Sequence, residues 1–179
     1  ATFQRSTDAS TNPTDVTVNQ FTNAGTVQAL AGTLRFQSAS THTDATISAA
    51  LGATVDFVGG SLPTFAGTIS GSPAGTILVQ SDLFASDATW ALGGTGVEWR
   101  NGYLKAGTLT NTTTVRLASG GGSRGVDTNG AVFRNEGTVT WTDAQPFYAF
   151  NNGARIENAG LWDAQSIGDL LGLGGVANG

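Results

Sequence analysis

The stretch Asn129-Gly130-Ala131-Val132-Phe133-Arg134-Asn135-Glu136-Gly137-Thr138-Val139 returns 23 residues later as Asn152-Gly153-Ala154-Arg155-Ile156-Glu157-Asn158-Ala159-Gly160-Leu161-Trp162. No other feature constrains the fold so strongly. The shared word is apolar-x-Asn-x-Gly-x-apolar. Phe21-Thr22-Asn23-Ala24-Gly25-Thr26-Val27 also fits it, and Leu109-Thr110-Asn111-Thr112-Thr113-Thr114-Val115 fits with Thr in place of Gly. Copies start at residues 21, 109, 133 and 156, and the gap of 88 equals four intervals of 22. A looser word fills that gap: Ala31-Gly32-Thr33-Leu34, Gly52-Ala53-Thr54-Val55, Ala74-Gly75-Thr76-Ile77 and Gly94-Thr95-Gly96-Val97 set an apolar residue every 20 to 22 positions. A ladder of this period is the signature of stacked repeats.

Inside each word, apolar residues alternate with Thr, Gln, Arg or Glu, as in Val27-Gln28-Ala29, Val115-Arg116-Leu117 and Val139-Thr140-Trp141. Period-2 alternation rich in β-branched and aromatic residues predicts strands of three to five residues. The Gly-Thr, Asn-Gly and Gly-Gly pairs between them supply turns. The one helical candidate, 166–171, is too short and Gly-rich to stand alone. Strands this short bury a face only by stacking coil on coil. The fold expected is therefore an all-β parallel β-helix, a β-solenoid of about 20–23 residues per coil, spanning 16–165. Eight or so coils at roughly 4.8 Å each would make a rod about 40 Å long. Asn23, Asn111, Asn135 and Asn158, with Gly25, Gly137 and Gly160, are the structural set of the word. Each Asn lies two residues from an inward apolar residue, so a stacked Asn ladder is expected. The Asn word is missing between residues 37 and 104, where other corners are expected. Residues 1–15 read as a polar arm or leader, or as part of a preceding coil, and 166–179 as a C-terminal coil or cap.

Composition excludes several function classes. With Lys and Arg numbering 8 against 13 acidic residues, a net charge of −5 and 12% charged residues, the chain cannot lay down the basic stripe of nucleic-acid binding. No apolar run approaches the roughly 18 residues of a membrane-spanning helix. There is no Cys and a single His, so neither a disulfide framework nor a multi-histidine metal centre is available. No cofactor is expected. Calcium, through dispersed Asp residues, is the one candidate left, and the tandem G-G-x-G-x-D nonapeptide is absent.

Candidate sites are few. Cleaving a sugar bond needs two carboxylates on one face, and Asp82 with Asp87, or Asp127 with Asp143, are the pairs the coil spacing brings to mind. His42, in Thr41-His42-Thr43-Asp44, reads as a loop residue. The Gly-rich stretch 119–125 reads as a loop bulging from the solenoid, since a strand rather than a helix follows it. Trp141 and Trp162 fall on core positions. Tyr103, Phe147 and Tyr148 remain as candidate ligand-facing aromatics. Thr is abundant but irregularly spaced, which disfavours an ice-binding array.

The phrases Phe21-Thr22-Asn23-Ala24-Gly25-Thr26-Val27 and Phe133-Arg134-Asn135-Glu136-Gly137-Thr138-Val139 resemble the F-x-N-x-G-T-V repeats of very large bacterial surface proteins. These are similar to the β-helices of filamentous haemagglutinin and autotransporter passengers. Ala50-Leu51-Gly52-Ala53-Thr54-Val55-Asp56-Phe57 resembles them too. The resemblance implies a secreted or surface-displayed scaffold with an adhesive, matrix or structural role and no catalysis. Ala1 in place of an initiator Met fits export, or a piece of something longer. The expectation is a self-assembling, head-to-tail filament subunit. The alternatives are an adhesin stalk that binds a surface or glycan and, with least support, a polysaccharide-degrading β-helix enzyme. The Asn-Thr-Asp and Gly-His-Gly words of such enzymes are missing.

Overall fold

A computed structural model describes residues 1–6, 12–58, 60, 62–94, 96–127, 129–150, 153–165, 168–172 and 177–178. Among them the chain is all β: a parallel β-solenoid of about 7 turns, with stacked strands ~22 residues apart. Every strand pairing is parallel and joins one coil to the next. Three faces result. Face 1 runs from Thr2–Arg5 through Thr26–Ala29, Thr46–Ala49, Thr108–Asn111 and Val132–Asn135 to Arg155–Asn158 and Ala177–Asn178. Face 2 runs from Thr14–Val16 through Thr33–Phe36, Thr54–Phe57, Thr76–Gln80, Thr114–Leu117 and Thr138–Trp141 to Leu161–Ala164. Face 3 holds Phe21–Asn23 and Ser40–Thr43 in the early coils, and Arg124–Val126, Phe147–Ala149 and Leu170–Gly172 in the late ones. The longer strands Thr64–Gly71, Phe84–Leu92 and Val97–Leu104 each bend across a corner and serve two faces.

Alternation decides what points inward. On face 2 one inward column reads Leu34, Val55, Ile77, Val97, Val115, Val139, Trp162, each the register partner of the next. The looser word of the sequence marks its first four members. A second inward column reads Val16, Phe36, Phe57, Val79, Trp99, Leu117, Trp141. From the second column a continuous chain of rings runs through the core: Phe36 stacks on Phe57 at 5.2 Å, Phe57 meets Phe65 and Phe65 meets Trp90 at 5.6 Å, Trp90 meets Trp99 at 6.3 Å, and Trp99 meets Phe133 and Phe147 at 5.6 Å. Edge-to-face pairs of this kind add about 0.5–1.5 kcal/mol each beyond simple burial. The space among Ile47, Phe57, Phe65 and Trp90 leaves no room for a water molecule.

The stack starts earlier than the repeat words indicate. Thr2–Arg5 lies on Thr26–Ala29 in full register, so this part of residues 1–15 is a strand of the solenoid; residues 7–11 lie outside the described ones. At the other end Leu170–Gly172 is a strand on Phe147–Ala149, while Ser166 and Ile167 are not described.

The corner into face 1 is turned by a left-handed residue in four successive coils: Asp44 (φ 46°), Gly67 (φ 63°), Asp87 (φ 46°) and Gly107 (φ 79°). A side chain at Gly107 would place its Cβ 1.8 Å from the Ala85 carbonyl oxygen of the coil below. The requirement there is for close approach as well as for positive φ.

Candidate functional surface

The repeated Asn builds a corner. Oδ1 of Asn23 accepts the Gly25 amide at 3.0 Å, and Oδ1 of Asn111 accepts that of Thr113 at 3.1 Å. The amide nitrogens of Asn23, Asn111, Asn135 and Asn158 donate back to the carbonyl two residues on, at 3.1–3.4 Å. This local turn is the same in all four copies, but its place in the coil is not. Asn111, Asn135 and Asn158 turn face 1 into face 2 and form a ladder, Asn111 Nδ2 donating to Asn135 Oδ1 at 2.8 Å and Asn135 Nδ2 to Asn158 Oδ1 at 2.7 Å. The backbone register carries the same column on to Asn178. Asn23 instead turns face 3 into face 1, and its register partner is His42. The spacing of ~22 residues per coil holds, but the copy at Asn23 does not lie on the column of the other three. Gly25, Gly137 and Gly160 let the coils touch: a Cβ on each would lie 2.1–2.2 Å from a carbonyl oxygen of the coil below. Thr113 takes that slot above Leu92 and donates its hydroxyl to the Leu92 carbonyl at 2.9 Å.

His42 is not a loop residue. It is fully buried on face 3, stacked at 5.7 Å on Phe65 and edge-on to Phe36 and Phe57 at 5.6 and 5.4 Å. Its Nδ1 faces Asn23 Nδ2 at 3.5 Å, and its Nε2 has no partner among the described residues. Burial among rings lowers its pKa to about 4. The unfolded chain takes up a proton near pH 6.5 while the folded chain resists until about pH 4. Stability is therefore complete above pH 6.5 and falls as pH drops through that window. The loss reaches on the order of 3 kcal/mol at pH 4. Urea unfolding of the wild type and of His42→Phe from pH 7.5 to 4 isolates this, since all carboxylates titrate alike in both. Parallel stability curves would show that the ring carries no such penalty.

The carboxylate pairs suggested by the sequence are not the ones brought together. Asp82 and Asp127, one coil apart on either side of Lys105, both pair with it, at 3.3 and 2.6 Å. Asp143 binds the fully buried Arg124, and Asp87 occupies its left-handed corner. Among the described residues no group of three or more His, Cys, Asp or Glu is placed to hold a metal ion. No helix among them is long and apolar enough to cross a membrane. A shallow surface recess of about 300 Å³ lies on the corner between faces 1 and 2, lined by Leu51, Thr76, Glu98 and Arg116. There Glu98 already accepts from Arg116 at 2.7 Å and from Arg100 at 2.8 Å.

The lateral aromatics gather on the late half of face 3. The outward column there reads Tyr103, Gly125, Tyr148, Leu171. One residue past each strand's end, the register continues outside as Lys105, Asp127 and Phe150, their amides donating to Leu83, Leu104 and Val126. Phe150 lies 5.3 Å from the Tyr103 ring and stacks on Tyr148 at 5.6 Å with the planes 2° apart. Gly125 is buried at the foot of this strip, and a Cβ on it would sit 2.0 Å from the Tyr148 carbonyl oxygen. Lys105 Nζ stands 5.4 Å above the Tyr103 ring. The hydrogen bond that Lys105 donates to Asp127, with the charge of Asp82 behind it, raises the Lys105 pKa above its ordinary value against a smaller opposing effect of burial.

Phe147 does not belong with Tyr103 and Tyr148. It is fully buried against Trp99 and Trp162, because neighbours in a strand face opposite ways. Phe150 takes the place on the outside that was expected of it. The signal was present in the sequence, since residues 148 and 150 share the outward parity.

No protein-family profile, curated protein or solved structure matches the chain. The solenoid stands on its own geometry, and the likeness to bacterial surface repeats rests on the words alone.

Proposed function

We propose that the chain is a non-catalytic structural module of a secreted or surface-displayed protein, a stiff solenoid rod that joins end to end with further coils, foremost those of another copy. The observation that carries this reading is the unbroken parallel stack with one-sided terminal rungs. Among the described residues, Thr2–Arg5 and Thr14–Val16 pair with the coil above alone, and Leu161–Ala164 with the coil below alone. Phe3 is 38% exposed on the first rung of face 1 and Leu161 58% on the last described rung of face 2. Unpaired strand edges with apolar side chains are templates for another strand, and head-to-tail contact of this kind is open-ended. The extracellular location follows from the resemblance of the repeat words. The enzyme alternative has less support, because Asp82 and Asp127 are drawn to one lysine and Asp143 to Arg124. Electron microscopy with sedimentation velocity tests the assembly. Fibres of constant width are expected, whereas single short rods at high concentration would refute end-to-end joining.

A second reading, a stalk displaying a binding surface, is favoured by one specific observation: the aromatic strip on face 3.

A further inference from the structure

Among the described residues, the strip formed by Tyr103, Tyr148 and Phe150 is where half-exposed aromatic rings, carboxylates and an ammonium converge outside the core. We propose that it is a binding platform for neutral oligosaccharides, whose pyranose rings pack on the solvent side of the cluster that Tyr103, Tyr148 and Phe150 form with one another, while their hydroxyls meet Asp82, Asp127 and Lys105. This inference rests on the display reading and is independent of end-to-end assembly.

Four features carry it. The first is order. Tyr103 and Tyr148 lie two coils apart with Phe150 between them in ring contact. Coils are spaced about 4.8 Å, comparable to the advance of one pyranose along an extended glycan. Held against each other, the rings lose little freedom on binding. The second is chemistry. A pyranose offers a face of C–H bonds to the negative face of an aromatic ring, and hydroxyls at its rim that both donate and accept. Beside the rings, Asp82 accepts the Tyr103 amide at 2.8 Å and meets Lys105, which also meets Asp127. Ionised carboxylates accept several hydrogen bonds and an ammonium donates three. Acceptors and donors therefore stand at one edge of the rings.

The third feature is charge. The strip has two carboxylates and one ammonium in a chain of net charge −5. No surplus cation is at hand to neutralise a uronate or sialate, so neutral sugars are favoured over acidic ones. The fourth is size. Each ring residue is half-buried, so the three together expose on the order of 200 Å². A stable protein partner covers about 800 Å² on each side. The area suits one or two sugar rings.

The test is an NMR titration of the isotope-labelled chain with cellohexaose, chitohexaose and maltohexaose, and with oligogalacturonate as the charged counterpart, following the Tyr and Phe ring signals. At least one neutral hexaose is expected to shift Tyr103, Tyr148 and Phe150 with a millimolar dissociation constant. Tyr148→Ala should weaken that binding at least about tenfold, and Tyr148→Phe, which keeps the ring, should leave it within about threefold. Should Tyr148→Ala fail to fold, Phe150→Leu, which lies past the strand's end, serves in its place with the same expected direction. Silence with all three neutral hexaoses, preference for oligogalacturonate, or undiminished binding in a folded Tyr148→Ala variant would each overturn the proposal. Fibre formation is read separately and does not bear on the result.

Discussion

Val139→Asp is expected to unfold the late coils, while Thr140→Asp, one residue along, leaves stability within about 0.5 kcal/mol of wild type. Val139 is fully buried, in register with Val115 below and Trp162 above. A carboxylate there has no cation in reach and loses its hydration, a cost of about 3–5 kcal/mol. The lost apolar burial adds about 1.5–3 kcal/mol. A chain of this size has about 5–15 kcal/mol in all. In a solenoid each coil is held chiefly by its neighbours, so the damage starts at 138–141 and spreads to the coils resting on it. A fall in melting temperature of roughly ten degrees or more, or failure to fold, should follow. Thr140 points outward between Arg116 and Asp163, and a carboxylate there stays in water. Thermal melts of the two variants decide the matter. A one-residue error of register would exchange their effects, so a stable Val139→Asp would refute the inward column itself.

That contrast shows what the sequence makes legible. The recurring looser word marks Leu34, Val55, Ile77 and Val97 as one column, and they are one. The Asn word marks a turn, because an Asn side chain closes on the amide and carbonyl two residues on regardless of context. Which corner of the coil the turn occupies depends on how many residues the other corners consume, and no local word encodes that number. Hence Asn23 and Asn111 share a motif but not a column. His42 was misread for a related reason. A polar residue between two Thr suggests an exposed loop, yet its parity in Ser40–Thr43 sends it inward, where Phe36, Phe57 and Phe65 surround it. On the candidate surface Tyr103 and Tyr148 were legible as unassigned aromatics. Phe147 and Phe150 were distinguishable only by strand parity, and the convergence of Lys105, Asp82 and Asp127 only by coil length.

The least legible feature gives the second large effect: Asp143→Leu should destabilise the chain by about 3–5 kcal/mol, and Arg124→Met added to it should restore most of that loss. Arg124 lies in the Gly-rich stretch 119–125, which reads as a plain loop, but its guanidinium is fully buried. It donates to Asp143, to the Ala118 carbonyl at 3.0 Å and to the Gln145 carbonyl at 3.3 Å. Asp143 also accepts the Trp141 indole N–H at 3.1 Å. One ion pair thus ties the turn after Leu117 to the turn after Trp141 in the next coil, between face 2 and the strip on face 3. With Leu at 143 the guanidinium keeps its carbonyl partners but loses the carboxylate bound to it, and it cannot shed its charge. In the double variant neither charge of the pair remains, and Met fills the slot with an adaptable apolar chain. The ordering separates two accounts of the pair. If it merely fills space, Asp143→Leu alone should be nearly neutral and the second substitution should add to the damage. If it compensates a buried charge, the double variant should melt well above the single one. Chemical denaturation of wild type, both single variants and the double closes the cycle, and the coupling expected between the two positions is at least about 2 kcal/mol in favour of the double variant.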